Sequence, residues 1–133
     1  MKNDGKLDGL KILLVEDVAA NRAIAEKLIR HHGGSVVMAK NGEEAVQCFL
    51  ASAEGEFSVI LMDIRMPVLD GWKATEAIRA SAHPGAATIP IVAVTSDTAD
   101  ESVKKCFRCG MNYHLKKPYD DQKFIEIILK LVK

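Results

Sequence analysis

Five short apolar runs punctuate the chain, at residues 11–16, 35–39, 58–62, 90–95 and 113–115. The first four are continuous rather than alternating, and the last is polar-tipped. Continuous runs of this length read as strands buried on both faces of a parallel sheet. Between them lie stretches with helical spacing. Residues 20–31 place Ala20, Ile24 and Leu28 on one face, and residues 42–53, after an Asn41-Gly42 turn signal, group Ala45, Val46, Phe49 and Leu50. Residues 72–82 group Ala74, Ala77 and Ile78, and residues 99–109 group Val103, Cys106 and Phe107. A last helix starts near Asp120 and carries Phe124, Ile127, Ile128 and Leu131 on one stripe. Strand and helix alternating five times predicts an α/β fold, a doubly wound, five-stranded parallel sheet with helices on both faces.

Length and composition narrow the class. A chain of 133 residues suits one domain. Residues 1–9 read as a flexible N-terminal segment and 10–133 as the domain. Eighteen basic residues balance eighteen acidic ones, so no net field draws the chain to nucleic acid or to anionic lipid. No apolar run is long enough for a membrane span, and the polar, glycine-bearing start is unlike a signal peptide. Three cysteines do not suggest a disulfide framework, and a cytoplasmic location is expected. Cys106 and Cys109 form a C-x-x-C late in a helix, away from the helix start where thiolates are activated, so they read as packing. The pair His31-His32 ends a helix, where cations are favoured, and needs no metal.

In a doubly wound sheet the functional groups gather at the carboxyl ends of the strands. Here those ends carry Glu16-Asp17, Asp63, Thr95-Ser96 and Lys116-Lys117-Pro118. Taken singly, each reads as a cap or a solvated loop charge. Together they bring three carboxylates against one lysine, and Asp63 follows an apolar run with no turn residue before it. A carboxylate that close to a core is costly unless paired or metal-bound. Like charges would raise each other's pKa, a penalty a divalent cation removes, and all-oxygen ligation suits Mg²⁺ or Mn²⁺.

The stretches VEDVAANR, LMDIRMPVLDG, IVAVTS and HLKKP resemble the receiver domain of two-component response regulators, from about Leu10 to the end of the chain. The resemblance implies the flavodoxin-like order of elements and a phosphoacceptor that assists its own phosphorylation and dephosphorylation rather than a free-standing enzyme. Asp63 then corresponds to the nucleophile that forms an acyl phosphate. Asp17 and, through water, Glu16 would hold Mg²⁺ with Asp63 and the Arg65 carbonyl. Lys117 and Thr95 would engage phosphoryl oxygens, and a cis bond before Pro118 would aim Lys117. The implied partner is a histidine kinase or a histidine phosphotransfer domain. Met66, Pro67 and Gly71 would shape the loop after Asp63, with Gly71 in a conformation other residues resist. Asp70 reads as a helix cap and Trp72 as a packing residue.

Asn21, the segment DGWKATEAIRA and the insert at 81–88 are similar to receivers attached to hybrid histidine kinases. The chain is therefore expected to be a receiver from such a kinase, or else a stand-alone regulator with no output domain. Two positions depart from the family pattern. Val18 stands where hybrid-type receivers often have Asn, and His114 stands in place of the rotating aromatic, which with Thr95 forms the expected switch. Other functions fit less well. A flavodoxin-like cofactor binder would want a phosphate loop where the acid pair stands, and an Asp-dependent phosphatase would want an acid where Arg65 stands. A receiver that only binds partners remains as a further alternative, on account of His114.

Overall fold

The computed structural model describes residues 5–132. Parallel strands β1 (Lys11–Val15), β2 (Ser35–Ala39), β3 (Val59–Asp63), β4 (Ile91–Thr95) and β5 (Tyr113–Lys116) form one sheet in the order β2-β1-β3-β4-β5. Between and after them run α1 (Ala19–His31), α2 (Gly42–Leu50), α3 (Gly71–Ala80), α4 (Asp100–Cys109) and α5 (Asp121–Val132). The doubly wound α/β fold expected from the apolar runs is the fold observed.

Two cores, one on each face of the sheet, account for the continuous apolar runs. Successive side chains of a strand point to opposite faces. Leu13, Val15, Ile60, Met62, Ile91 and Ala93 pack on one side with Phe49, Trp72 and Ile78. Ile12, Leu14, Val59, Leu61, Val92 and Val94 pack on the other with Ile29, Phe124 and Ile128. Every residue of β3 and β4 is buried. The edge strand β2 departs from the expectation of two buried faces, since Ser35 and Met38 are exposed there.

Several helix faces are rotated from those the periodicity suggested. In α1 the buried residues are Ala25, Leu28 and Ile29, while Ala20 is exposed and Ile24 is 63% exposed. In α3, Thr75 is buried and Ala77 is not. In α4, Cys106 is buried and Phe107 is half exposed. In α1 and α4 the buried positions include the smaller Ala25 and Cys106, with Ile24 and Phe107 left outside. Part of the N-terminal segment is packed. Leu7 is fully buried and its N–H donates to the His32 carbonyl at 2.8 Å, so the packed unit reaches back before Leu10. Residues 1–4 of that segment lie outside the described residues.

Local signals set the helix ends. The Asn41 side chain accepts from Glu44 N while Glu44 accepts from Lys40 N, a reciprocal cap that starts α2. Asp70 accepts from Lys73 N at 2.9 Å and starts α3. Gly110 ends α4 at φ 112°, in the left-handed region.

Candidate functional site

Register brings the chemistry together. Val15 lies opposite Met62, and Asp63 opposite Val94. The residues just beyond β1, at the end of β3 and at the end of β4 therefore meet at one edge of the sheet. Glu16, Asp63 and Thr95 are buried there, and Asp17 and Lys117 are half-buried. Glu16, Asp17 and Asp63 each offer a carboxylate oxygen, and the three oxygens lie within 4.8 Å of one another.

Among the described residues, one ammonium pairs with this cluster. Lys117 Nζ donates to Glu16 Oε1 at 2.6 Å and lies 3.8 Å from Asp63 Oδ1. Burial pushes the Asp63 carboxyl up, against the attraction of Lys117 and with added repulsion from Glu16, to about 7. Burial also pushes Glu16 upward, but the hydrogen bonds from Lys117 and from the Val18 N–H outweigh it and leave Glu16 below its ordinary value. The lysine is thus committed to Glu16, and Asp63 carries the cost of the crowding. The set is all oxygen, acidic and short of positive charge, which fits a small hard cation.

The surrounding backbone holds these groups in place. Arg22 donates to the Glu16 carbonyl at 2.8 Å, and the Lys117 N–H donates to the Thr95 carbonyl at 2.9 Å. The Lys117-Pro118 peptide is cis. Lys116, one residue earlier, is exposed. Thr95 Oγ1 accepts from the Asp97 N–H at 3.1 Å. A cleft of about 290 Å³ opens beside Asp63 and Lys117, floored by Leu14, Ala25 and Phe124.

The loop after Asp63 corrects one expectation. Gly71 does not adopt a positive φ; Val68 does, at 69°. Gly71 is required for space instead, because a Cβ there would lie 2.2 Å from the Asp63 carbonyl oxygen. The Arg65 side chain points out, with its guanidinium 2.8 Å from Asp97 Oδ2 and 5.3 Å from the Trp72 ring. His114 is half-buried, and its Nε2 lies 3.2 Å from the Asp97 carbonyl. Asp97, which the strand-end reading passed over, therefore touches three of the candidate residues. The signal available for it was an Asp just before a helix, a pattern that ordinarily reads as a cap.

The C-x-x-C pair packs. Trp72 Nε1 donates to Cys106 Sγ at 3.3 Å, and Cys109 Sγ donates to the Cys106 carbonyl at 3.1 Å. Burial pushes both thiols up, that of Cys109 to about 11. Neither is poised as a thiolate.

Comparison with known proteins agrees with this geometry. The sequence model of the response regulator receiver domain matches residues 12–129. The receiver domain of a sensor histidine kinase from Pseudomonas aeruginosa PAO1, solved with a magnesium ion coordinated in its active site cleft, superposes with a TM-score of 0.84. It is 34% identical, over 93% of this chain and 98% of that one. Sensor protein GacS of Pseudomonas syringae is 34% identical over 90% of this chain, and hybrid signal transduction histidine kinase B of Dictyostelium discoideum is 37% identical over 92%. The chain spans only 13% and 6% of the lengths of those two relatives. Among the described residues, no helix is long and apolar enough to cross a membrane.

Proposed function

The chain belongs to the response regulator receiver domain family, and from that premise we propose that Asp63 accepts a phosphoryl group from a phosphohistidine. The observation that carries the reading is the cluster of Glu16, Asp17 and Asp63, with its three oxygens within 4.8 Å and Lys117 as its neighbouring cation. An Asp63 oxygen attacks phosphorus, the P–N bond of the donor breaks, and the electron pair leaves with the imidazole. The products are an aspartyl phosphate and a free histidine. Lys117 exchanges its bond to Glu16 for one to a phosphoryl oxygen, offsetting charge as it develops. The Thr95 hydroxyl donates to a second oxygen, and His114 with Thr95 reports the modification toward β5.

Glu16, Asp17, Asp63 and the Arg65 carbonyl would hold Mg²⁺, and Mn²⁺ suits the same donors. The cation would neutralise the carboxylates that otherwise repel an incoming phosphate. The donor is a histidine kinase or a histidine phosphotransfer domain. The domain, residues 10–133 anchored by Leu7, acts as a relay element of a hybrid kinase or as a separate regulator. It assists its own phosphorylation and dephosphorylation and turns over no other substrate. The cytoplasm, where ATP feeds such kinases, is its compartment.

Intact mass after incubation with acetyl phosphate tests the reading. One phosphoryl group is expected with Mg²⁺ and none after chelation with EDTA. Equal labelling in both conditions contradicts the metal-assisted site.

A further inference from the structure

The acid pair Glu16-Asp17 sits on a turn that leads into α1, and the start of that helix is built against the usual rules. Val18, at the cap position, makes no side-chain cap bond, and the first turn carries no acidic residue. The fourth residue of the helix is Arg22, a cation at the end where the backbone dipole disfavours one. A local preference set aside with no gain to the helix points to a role outside it.

The Arg22 backbone belongs to the helix, since its N–H donates to the Val18 carbonyl at 3.0 Å. Its side chain turns back, and Nη1 donates to the Glu16 carbonyl at 2.8 Å. That bond completes a set. The Glu16 N–H donates to the Ala39 carbonyl at 3.1 Å, Oε2 accepts from the Val18 N–H at 3.1 Å, and Oε1 accepts from Lys117 Nζ at 2.6 Å. Every polar atom of Glu16 is engaged, and Arg22 supplies the bond that falls on the peptide joining Glu16 to Asp17.

A peptide is planar, so the Glu16 carbonyl oxygen and the Asp17 Cα share one plane. Holding the oxygen therefore sets the direction in which Asp17 leaves the strand, although none of these bonds reaches the Asp17 side chain. That side chain has to meet Glu16 and Asp63, and the three carboxylate oxygens do lie within 4.8 Å of one another. Resting on the reading of this cluster as a Mg²⁺ site, we infer that Arg22 is a positioning residue for the metal, holding the peptide between Glu16 and Asp17 so that Asp17 presents its carboxylate beside Asp63.

The sign of the effect separates this role from the charge of Arg22. A guanidinium near three carboxylates repels an incoming cation, so its removal, through charge alone, tightens Mg²⁺ binding. Loss of the support for Asp17 weakens it instead, as loss of the groups that orient metal ligands does.

The test titrates the ¹⁵N-labelled, metal-free chain with MgCl₂ and follows the Asp17 and Ile64 amides. Arg22→Ala is expected to raise the Mg²⁺ dissociation constant about tenfold. Arg30→Ala, whose guanidinium pairs with Glu26 on the same helix, is expected to leave it unchanged. Unchanged or tighter binding in Arg22→Ala overturns the inference, and so does an equal loss in Arg30→Ala. Should Arg22→Ala fail to fold, Arg22→Met keeps an apolar stem and removes the donor. The same weakening is then expected, and binding like the parent's overturns the inference. A parent whose amides do not respond to Mg²⁺ overturns the metal site itself, and the inference with it.

Discussion

The two edges of the sheet treat buried charge in opposite ways. At the amino-terminal edge, the Arg79 guanidinium donates to the carbonyls of Gly110 and Ala86 and to Asn112 Oδ1, which also accepts from Ile91 N. His83 is equally settled, with Nδ1 accepting from Gly85 N and Nε2 against the Ser52 carbonyl. These donors all have acceptors, as a structural network requires. At the carboxyl-terminal edge, three carboxylates cluster and Lys117 reaches two of them, Glu16 and Asp63, and Asp63 is driven to about 7 by burial and by Glu16. An edge selected for stability alone would not leave Asp63 so poorly paired. The difference separates a structural polar network from one that is complete only with a cation and a phosphoryl group.

Substitutions at each edge can break or sharpen this contrast. The largest effect is expected at Lys117, among the described residues the cation facing Glu16 and Asp63. Lys117→Ala should slow labelling by acetyl phosphate about 100-fold, as removal of a charge-stabilising donor does. Lys116→Ala should leave the rate unchanged, because that side chain is exposed. Equal effects of the two would dissolve the asymmetry within the functional edge.

Next comes Arg79→Ala, which strands the Gly110 and Ala86 carbonyls. Urea unfolding should show a loss of about 2–3 kcal/mol, with the labelling rate of the folded protein intact. A fall in rate beyond the fraction unfolded would mean that the edges are not independent.

A pH slope offers a further test. Folded Asp63 keeps its proton up to about 7, whereas the unfolded chain releases it near the ordinary 3.8. Between those values the folded state binds more protons, so the metal-free protein loses stability as pH rises through that window. Asp63→Asn should remove that loss and be more stable than the parent at pH 8 without metal. Mg²⁺ should then raise the melting temperature of the parent more than that of the variant. A variant less stable than the parent at pH 8 would mean that the crowding of carboxylates costs the fold nothing.

The chain discloses its two edges unequally. Asp63, Glu16, Asp17, Thr95 and Lys117 stand at the ends of apolar runs, and parallel strands of four or five residues bring such ends together, so the composition of the cluster was legible in the sequence. Its pairing was not, because Lys117 chooses Glu16 through a contact 101 residues apart. Asp97 was missed for the same reason: Arg65 and His114 lie 32 and 17 residues from it. The face of α1 was misjudged where Ala25, rather than Ile24, fits against the sheet, and in α4 Cys106 was rightly placed while Phe107, grouped with it, is half exposed. Periodicity locates a stripe but does not rank a small residue above a large one within it. Gly71 was rightly singled out, but for a backbone conformation that other residues resist, whereas its φ is not positive; its role is the approach of the Asp63 carbonyl, which only the folded loop reveals.

The central claim is that Asp63 is the atom-level acceptor, and chemical mapping of the phosphorylated residue tests it most directly. Borohydride reduces an acyl phosphate to the corresponding alcohol, so an aspartyl phosphate becomes homoserine. After treatment with acetyl phosphate and Mg²⁺ followed by borohydride, peptide mass mapping should find homoserine at position 63 and none in Asp63→Asn. Homoserine at another aspartate, or undiminished phosphoryl incorporation in Asp63→Asn, would contradict the account.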